Sequence, residues 1–442
     1  MPRIRLQPTG TIWTALVAAV LALSIPWLAR WRLPSPDRYA GHVFRVTSGA
    51  DSGPGSLREA IFAADRADGR ARIAIGVSRI VVETSLPPLL NPAGVIVDGQ
   101  SAAAVVDARA LAGGPVLDLA APNCVVTGLR IEGARGEAIM VRQSGAHLNG
   151  VTIADSGVAV FQAGADGVVI EGSTFDRNTV GIQIGGASSP ATLRNNRFQD
   201  HRRAAIWAVR SDTGPLENLG ALEVLRNTFS GDRQSIVVLN IPVRIQRNTF
   251  ADAHDAAVYA SGSRIVVSAN RIRSGRGFGV YLERVDRSVV SDNELDHNCS
   301  GGLMIRSAHH TQITFNRVYS NGYGIILVHG SEVGTNTVAD NLIAQHVEDG
   351  MYVIGSSPII RRNRFFQNRK DGMHLSSLVA GRDVIASEPL LDGNILAGNG
   401  NDDVRRDRYV PPVREADIAQ AGDCGWRLPA GSTQVSLVEG VR

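Results

Sequence analysis

The chain has 442 residues and a formal net charge of +3, with nearly all of its positive charge on arginine; Lys370 is its only lysine. So small and dispersed a charge excludes the concentrated basic stripe of a nucleic-acid-binding protein. Apolar residues make up 44% but aromatics only 5%, and 47 glycines accompany them. That mix suits short strands and tight turns better than helix bundles.

Residues 11–29 form one strongly apolar, uncharged run, with Arg3 and Arg5 before it and Arg30, Arg32 and Arg38 after it. The run is long enough to span a bilayer. No small-residue cleavage site follows it, so residues 1–32 are expected to be an uncleaved N-terminal transmembrane or signal-anchor helix, with a cleaved signal peptide as the second reading. Residues 33–42 read as a linker. Phe44, Arg45, Val46 and Thr47 then make a short strand, followed by the turn formers Asp51-Ser52-Gly53-Pro54-Gly55. Ser56-Leu57-Arg58-Glu59 is a capping box, in which Ser56 accepts from the Glu59 amide and the Glu59 side chain reaches back. Leu57, Ala60, Ile61 and Ala64 share one face at helical spacing, which predicts a short helix over residues 57–67 that covers something apolar. Residues 43–70 are therefore a strand and a capping helix.

From residue 72 to 133 short apolar strands alternate with turns, without helical period. A repeat then becomes plain. Asn196, Asn227, Asn248, Asn270, Asn293, Asn316, Asn341, Asn363 and Asn394 are each followed two residues on by an apolar residue, at intervals of 31, 21, 22, 23, 23, 25, 22 and 31. A second phrase keeps step: a small residue, then apolar, any, apolar, as in Gly302-Leu303-Met304-Ile305 and Gly324-Ile325-Ile326-Leu327. A period near 22 points to a solenoid. Three short strands per period make an all-β, single-stranded parallel β-helix of three sheets over residues 71–400, with roughly a dozen coils about 4.8 Å apart. The asparagines are expected in the left-handed conformation of a tight turn, their side chains bonded to one another in a buried ladder. The two long intervals predict protruding loops at about 211–220 and 377–389. Residues 401–442 lose the repeat and read as a C-terminal cap or tail.

The phrase from Asp51 to Ile61 resembles the opening motif of many exported bacterial β-helix proteins, in which this helix caps the first coil. The repeat resembles the right-handed parallel β-helix proteins of the pectate-lyase-like superfamily. The resemblance implies an envelope protein, anchored at the inner membrane by its N-terminal helix, with the β-helix in the periplasm or outside the cell. It also implies that substrate lies across the strand that here follows the small residue. With that residue as zero, positions two and four point outward: Tyr281, Met304, Ile326, Tyr352 and His374 in one column, Glu283, Arg306, Val328, Ile354 and Ser376 in the other.

A lyase or C5-epimerase acting on a uronate polysaccharide needs a cation on the carboxylate, a base for the C5 proton and an acid for the leaving oxygen. Arg306 is the candidate cation, His329, His374 or Lys370 the candidate base, and Tyr352 the candidate acid. Tyr281, Glu283 and Tyr323 are placed to contact substrate. Glu348, Asp349 and Asp371 could hold Ca²⁺ through oxygen ligands. Two other readings stand beside this one. The protein could be a non-catalytic carbohydrate-binding or surface scaffold, or, since His297, His309, His310, His329, His346 and His374 lie in neighbouring coils and imidazole suits copper, a periplasmic copper-delivery accessory. Cys124, Cys299 and Cys424 are far apart and expected to be buried free thiols, with a Cys124–Cys424 bridge as the alternative.

Overall fold

The structure is a computed structural model that describes residues 41–185, 191–210, 220–329, 334–380 and 383–410. The apolar run 11–29 and most of the first expected loop lie outside these residues. Among the described residues no helix is long and apolar enough to cross a membrane.

The chain winds into three sheets of 15, 14 and 14 strands, each strand hydrogen-bonding to its counterpart one coil on. Pairing is parallel throughout these coils, because each connection is the rest of a coil and so long enough for a parallel crossover. Most strands of the first two sheets have only three or four residues. Their central residues point inward and stack on their counterparts, so that the rings of Phe198, Phe229 and Phe250 lie 4.8 and 4.7 Å apart, nearly parallel. The strands of the third sheet are longer, reaching nine residues at Phe278–Asp286 and Gly301–His309.

The helix Leu57–Asp65 packs against the first two strands, His42–Val46 and Ala71–Ile75, with Leu57, Ala60, Ile61 and Ala64 buried. Ser56 caps it by accepting from the Glu59 amide. The Glu59 carboxylate does not return to Ser56 as a capping box requires; it accepts from the Gly55 amide at 2.6 Å. The expected loop at 377–389 is in part an antiparallel hairpin, with Met373–Ala380 pairing to Asp383–Ile385. Beyond residue 400 the strand Val404–Val410 adds to the third sheet, parallel to Met373–Ala380.

The asparagine ladder is present, but for a different reason from turn conformation. The left-handed residue of each turn is the one before the asparagine: Ala269, Asp292, Phe315, Asp340 and Arg362 have φ of 55, 57, 58, 59 and 52°. Alanine, phenylalanine and arginine all serve there. The asparagine is needed for its amide. Asn316 Oδ1 accepts from both the backbone N and Nδ2 of Asn293, at 3.0 and 2.9 Å, while Asn293 Nδ2 also donates to the Val267 carbonyl at 2.8 Å. The same pattern links Asn196 through to Asn394.

A second ladder runs along the next turn of each coil and was not read from the sequence. Asn298 Nδ2 donates to Asn321 Oδ1, the Asn321 amide to His346 Nδ1, the His346 amide to Asn368 Oδ1, and Asn368 Nδ2 to Asn399 Oδ1. This ladder explains the glycine phrase. A Cβ on Gly324 would stand 2.8 Å from the His346 ring and 2.1 Å from the Gly350 carbonyl; one on Gly350 would stand 2.6 Å from Asn368 Nδ2. His346 is thus a ladder residue. Complete burial pushes its pKa down to about 3, so the ring is neutral, accepting at Nδ1 and donating from Nε2 to the Val318 carbonyl at 3.1 Å. Cys124 is a buried free thiol, which removes the Cys124–Cys424 alternative; Cys299 is disulfide-bonded, against the expectation of a free thiol.

Two outcomes test the ladders. Asn316→Ala leaves the buried Asn293 amide without its acceptor, and each orphaned buried group costs about 1–3 kcal/mol; urea denaturation should report at least that loss, and an unchanged midpoint would contradict the ladder. His346→Asn keeps the hydrogen-bonding pattern of Asn321 and Asn368. A histidine whose folded pKa is depressed contributes stability that is present above its ordinary value, about 6.5, and lost as pH falls towards the folded value. The variant should therefore lose less stability than the parent between neutral pH and about pH 4 in pH-dependent denaturation.

Candidate functional site

Strand register in the third sheet places the outward columns where the sequence puts them. Tyr281, Met304, Ile326, Tyr352 and His374 are successive partners, as are Glu283, Arg306, Val328, Ile354 and Ser376. The strand Val404–Val410 extends both columns, with Arg405 beside His374 and Asp407 beside Ser376. The face is not uniformly polar. Met304, Ile326, Tyr352 and Ile354 are buried and form, with Phe278, a second apolar cluster outside the barrel core. This strip separates the polar residues into two groups.

The first group is centred on Glu283, whose carboxylate accepts from Tyr259 Oη at 2.6 Å; Tyr281 packs edge-on against Tyr259. Arg306 belongs to this end, in register with Glu283 and three strands from His374, about 14 Å at the ordinary strand spacing. His329 is exposed at the corner after the strand Tyr323–Val328, in left-handed conformation, and is not part of either group.

The second group is compact. Asp349 and Asp371 precede the glycines of two adjacent coils, are buried, and take backbone bonds that fix them: Asp349 Oδ1 accepts from the Asp371 amide at 3.0 Å, and Asp371 Oδ1 from the Asp402 amide at 2.9 Å. His374 bridges Asp349 Oδ2 through Nδ1 at 3.2 Å and Asp407 Oδ2 through Nε2 at 2.7 Å. Ser376 Oγ is 3.2 Å from the same Nε2. Arg405 pairs with Asp407 at 3.1 Å and approaches Asp371 at 3.9 Å. The Tyr352 ring stacks on His374 with centroids 4.5 Å apart, and Tyr323 continues the row 6.3 Å from Tyr352. Lys370 and Glu348 pair with each other in the neighbouring loop.

A carboxylate at each ring nitrogen decides the charge of His374. A neutral imidazole has one N–H and serves one acceptor; the imidazolium serves both. Burial opposes the charge, but the hydrogen bonds to Asp349 and Asp407 outweigh it and raise the His374 pKa above its ordinary value. The Tyr352 hydroxyl is shifted upward by burial and by the Asp349 charge, and Tyr323 by burial and the nearby Glu348 and Asp349. The raised values favour the protonated forms of His374 and Tyr352. Arg405 and Asp407 join this group and were missed by the sequence reading, whereas Arg306 stands apart from it.

Asp349, Asp371 and His374 are the one group of three or more metal-binding side chains that converges among the described residues. Of the expected calcium ligands Asp349 and Asp371 come together, while Glu348 is paired with Lys370 in the neighbouring loop. The other histidines do not gather. His297 pairs with Asp296, His310 with Asp286, and His346 is locked in its ladder.

Three-stranded coils, stacked side-chain ladders and a longer-stranded face carrying titratable groups define the parallel β-helix class. The chain belongs to the family described as right handed beta helix region, which it matches over residues 116–240 and 215–365. No curated protein matches the sequence. Among solved structures, the catalytic unit of a thermostable alpha-1,3-glucanase from Streptomyces thermodiastaticus is similar at a TM-score of 0.50 and 15% identity, covering 85% of this chain and 70% of that one. The mannuronan C-5 epimerase AlgE6 A-module of Azotobacter vinelandii follows at 0.47 and 12%, covering 84% and 100%. The periplasmic alginate epimerase AlgG gives 0.46 and 13%, covering 66% and 77%. At these identities the likeness concerns the fold.

The clamp on His374 has a titration signature. A raised folded pKa means that the clamp's contribution to stability is complete below about pH 6.5 and is lost as pH rises through the folded value. Ring-proton NMR should place the His374 midpoint above 6.5, and Asp407→Asn should lower it. A midpoint indifferent to Asp407→Asn would remove the imidazolium assignment.

Proposed function

We propose that the protein acts on a uronate-containing polysaccharide by acid–base chemistry at the group around His374, as a lyase or C5-epimerase. The observation that carries this reading is the outward row Tyr323, Tyr352 and His374, bordered by Asp349, Asp371 and Asp407 and by Arg405. The rings stack face to face, so it is their polar edges that can meet a sugar, and a few convergent polar groups orient it. Arg405 and the His374 imidazolium neutralise the uronate carboxylate, which makes the C5 proton acidic. Asp407, the most exposed of the three carboxylates, takes that proton. In elimination the C4–O bond breaks, C4=C5 forms, and His374 or Tyr352 protonates the departing oxygen. In epimerisation the proton returns to C5 from the opposite face instead.

The presence of three carboxylates around one imidazolium favours a second reading, hydrolysis by a carboxylate pair. The sequence's apolar N-terminal run, residues 11–29, fits a tether that would hold the β-helix in the cell envelope, facing the periplasm or the exterior.

Incubation of the purified protein with polyuronates separates these outcomes. Elimination gives an ultraviolet-absorbing unsaturated product, epimerisation a changed C5 configuration by NMR, and hydrolysis new reducing ends without absorbance. His374→Ala and Tyr352→Phe should each lower turnover by about 10²-fold or more. Saturable binding with no product of any kind would replace the enzyme reading with a carbohydrate-binding scaffold.

A further inference from the structure

A different part of the surface has features that the His374 site does not use. At the turn leading into the third sheet, Arg202, Arg233, His254 and Arg276 occupy the same position in four consecutive coils. The backbone shows the alignment: the Arg233 amide donates to the His201 carbonyl, the His254 amide to Asp232 and the Arg276 amide to Ala253, at 3.0, 3.0 and 2.8 Å. All four side chains are exposed, and they line a cleft of about 610 Å³ that also contains Asp200 and Asp255. Arg233 pairs with Asp255 at 3.1 Å and Arg202 donates to Thr179 Oγ1 at 2.8 Å. Beside the row, the Arg203 guanidinium lies 3.9 Å over the Trp207 ring. Trp207 shares the outward column of Tyr259 and Tyr281, two and three strands further on.

We infer that this turn edge is a second binding surface, for an extended polyuronate chain running along the helix axis. The rungs recur at about 4.8 Å, close to the length of one sugar ring in an extended chain, so one donor side chain per coil, arginine in three of the four, meets one carboxylate per sugar. Guanidinium groups suit that pairing because they take a carboxylate in a two-pronged bond. Asp200 and Asp255 can accept from sugar hydroxyls, and Trp207, Tyr259 and Tyr281 supply ring faces alongside. A nucleic acid fits less well. Duplex DNA carries a charge about every 1.7 Å, far denser than the spacing of these side chains. Followed along the axis, the row ends at Arg276, three coils before Val347, which occupies the same turn position next to Asp349. A chain held here would point towards the His374 site. The binding does not depend on that site turning anything over.

The experiment is fluorescence anisotropy with a labelled oligouronate, comparing the full protein with Arg202→Ser/Arg233→Ser/Arg276→Ser. These side chains are exposed, so thermal melting should be unchanged. Affinity should fall by about tenfold or more in the triple variant, and that of the parent should weaken as salt rises. The same loss should appear in a His374→Ala background, which separates this surface from the site around His374. If the triple variant is unstable, Arg276→Ser alone should still weaken binding about threefold. Undiminished binding in both variants would overturn the proposal. So would single-stranded DNA binding as tightly as the oligouronate, or an equal affinity for a neutral glucan.

Discussion

The buried side-chain amide that reaches from one coil to the next is the interaction on which the rest of this protein depends. In a solenoid of such short strands the turns also carry buried polar backbone. Every such group must find a partner. Asn293, Asn316 and their counterparts solve that problem by placing an acceptor from one coil over the turn amide of its neighbour. This fixes each coil against the next in register, and register is what converts an outward position in the sequence into a column in space. The columns in turn bring Tyr352, His374 and Arg405 side by side, although they are drawn from three separate coils.

The His374 group shows how such columns can hold charge at low exposure. Burying a carboxylate alone is costly, and the cost is met only when opposite charges and hydrogen bonds satisfy it. Here Asp349 and Asp371 receive backbone amides from the coils that follow them, and the imidazolium lies between Asp349 and Asp407. The apolar strip of Met304, Ile326 and Ile354 on the same outward face keeps this group apart from Glu283 and Arg306. The face therefore has two polar ends with a dry middle, an arrangement unlike a continuous wet groove.

Much of the architecture was legible because it rests on repetition. The period near 22, the Asn turns and the inward–outward alternation follow from a single geometric rule applied along the chain, and the structure reproduces them. The second ladder escaped notice because its members change chemical type: Asn321, His346 and Asn368 do one job with two kinds of side chain. Its shadow was visible all the same in the glycine phrase, since Gly324 and Gly350 exist to make room for it. The left-handed turn residue was misassigned because almost any side chain can stand there, so no residue type marks it. The candidate site was half legible. Tyr352, His374, Asp349 and Asp371 follow from strand alternation. Arg405 and Asp407 belong to a strand whose preceding phrases are absent, and nothing local marks that strand as part of the sheet. Arg306 and His329 were grouped with the others by nearness in the repeat, but column, strand step and corner position separate them in space.

The ladder also has a direction. Each turn amide is satisfied by an oxygen that belongs to the following coil, as the Asn293 amide is by Asn316, and never by the preceding one along this row. Removing coils from the C-terminal side thus strands the turn amide at the new end, whereas removing them from the N-terminal side leaves that amide bonded and frees instead the Oδ1 acceptor and one Nδ2 hydrogen of the first remaining asparagine. A buried backbone N–H without a partner is rarely tolerated. A chain that emerges N-terminus first during synthesis or passage through a membrane would therefore carry one incomplete turn at its growing edge, completed each time the next coil arrives.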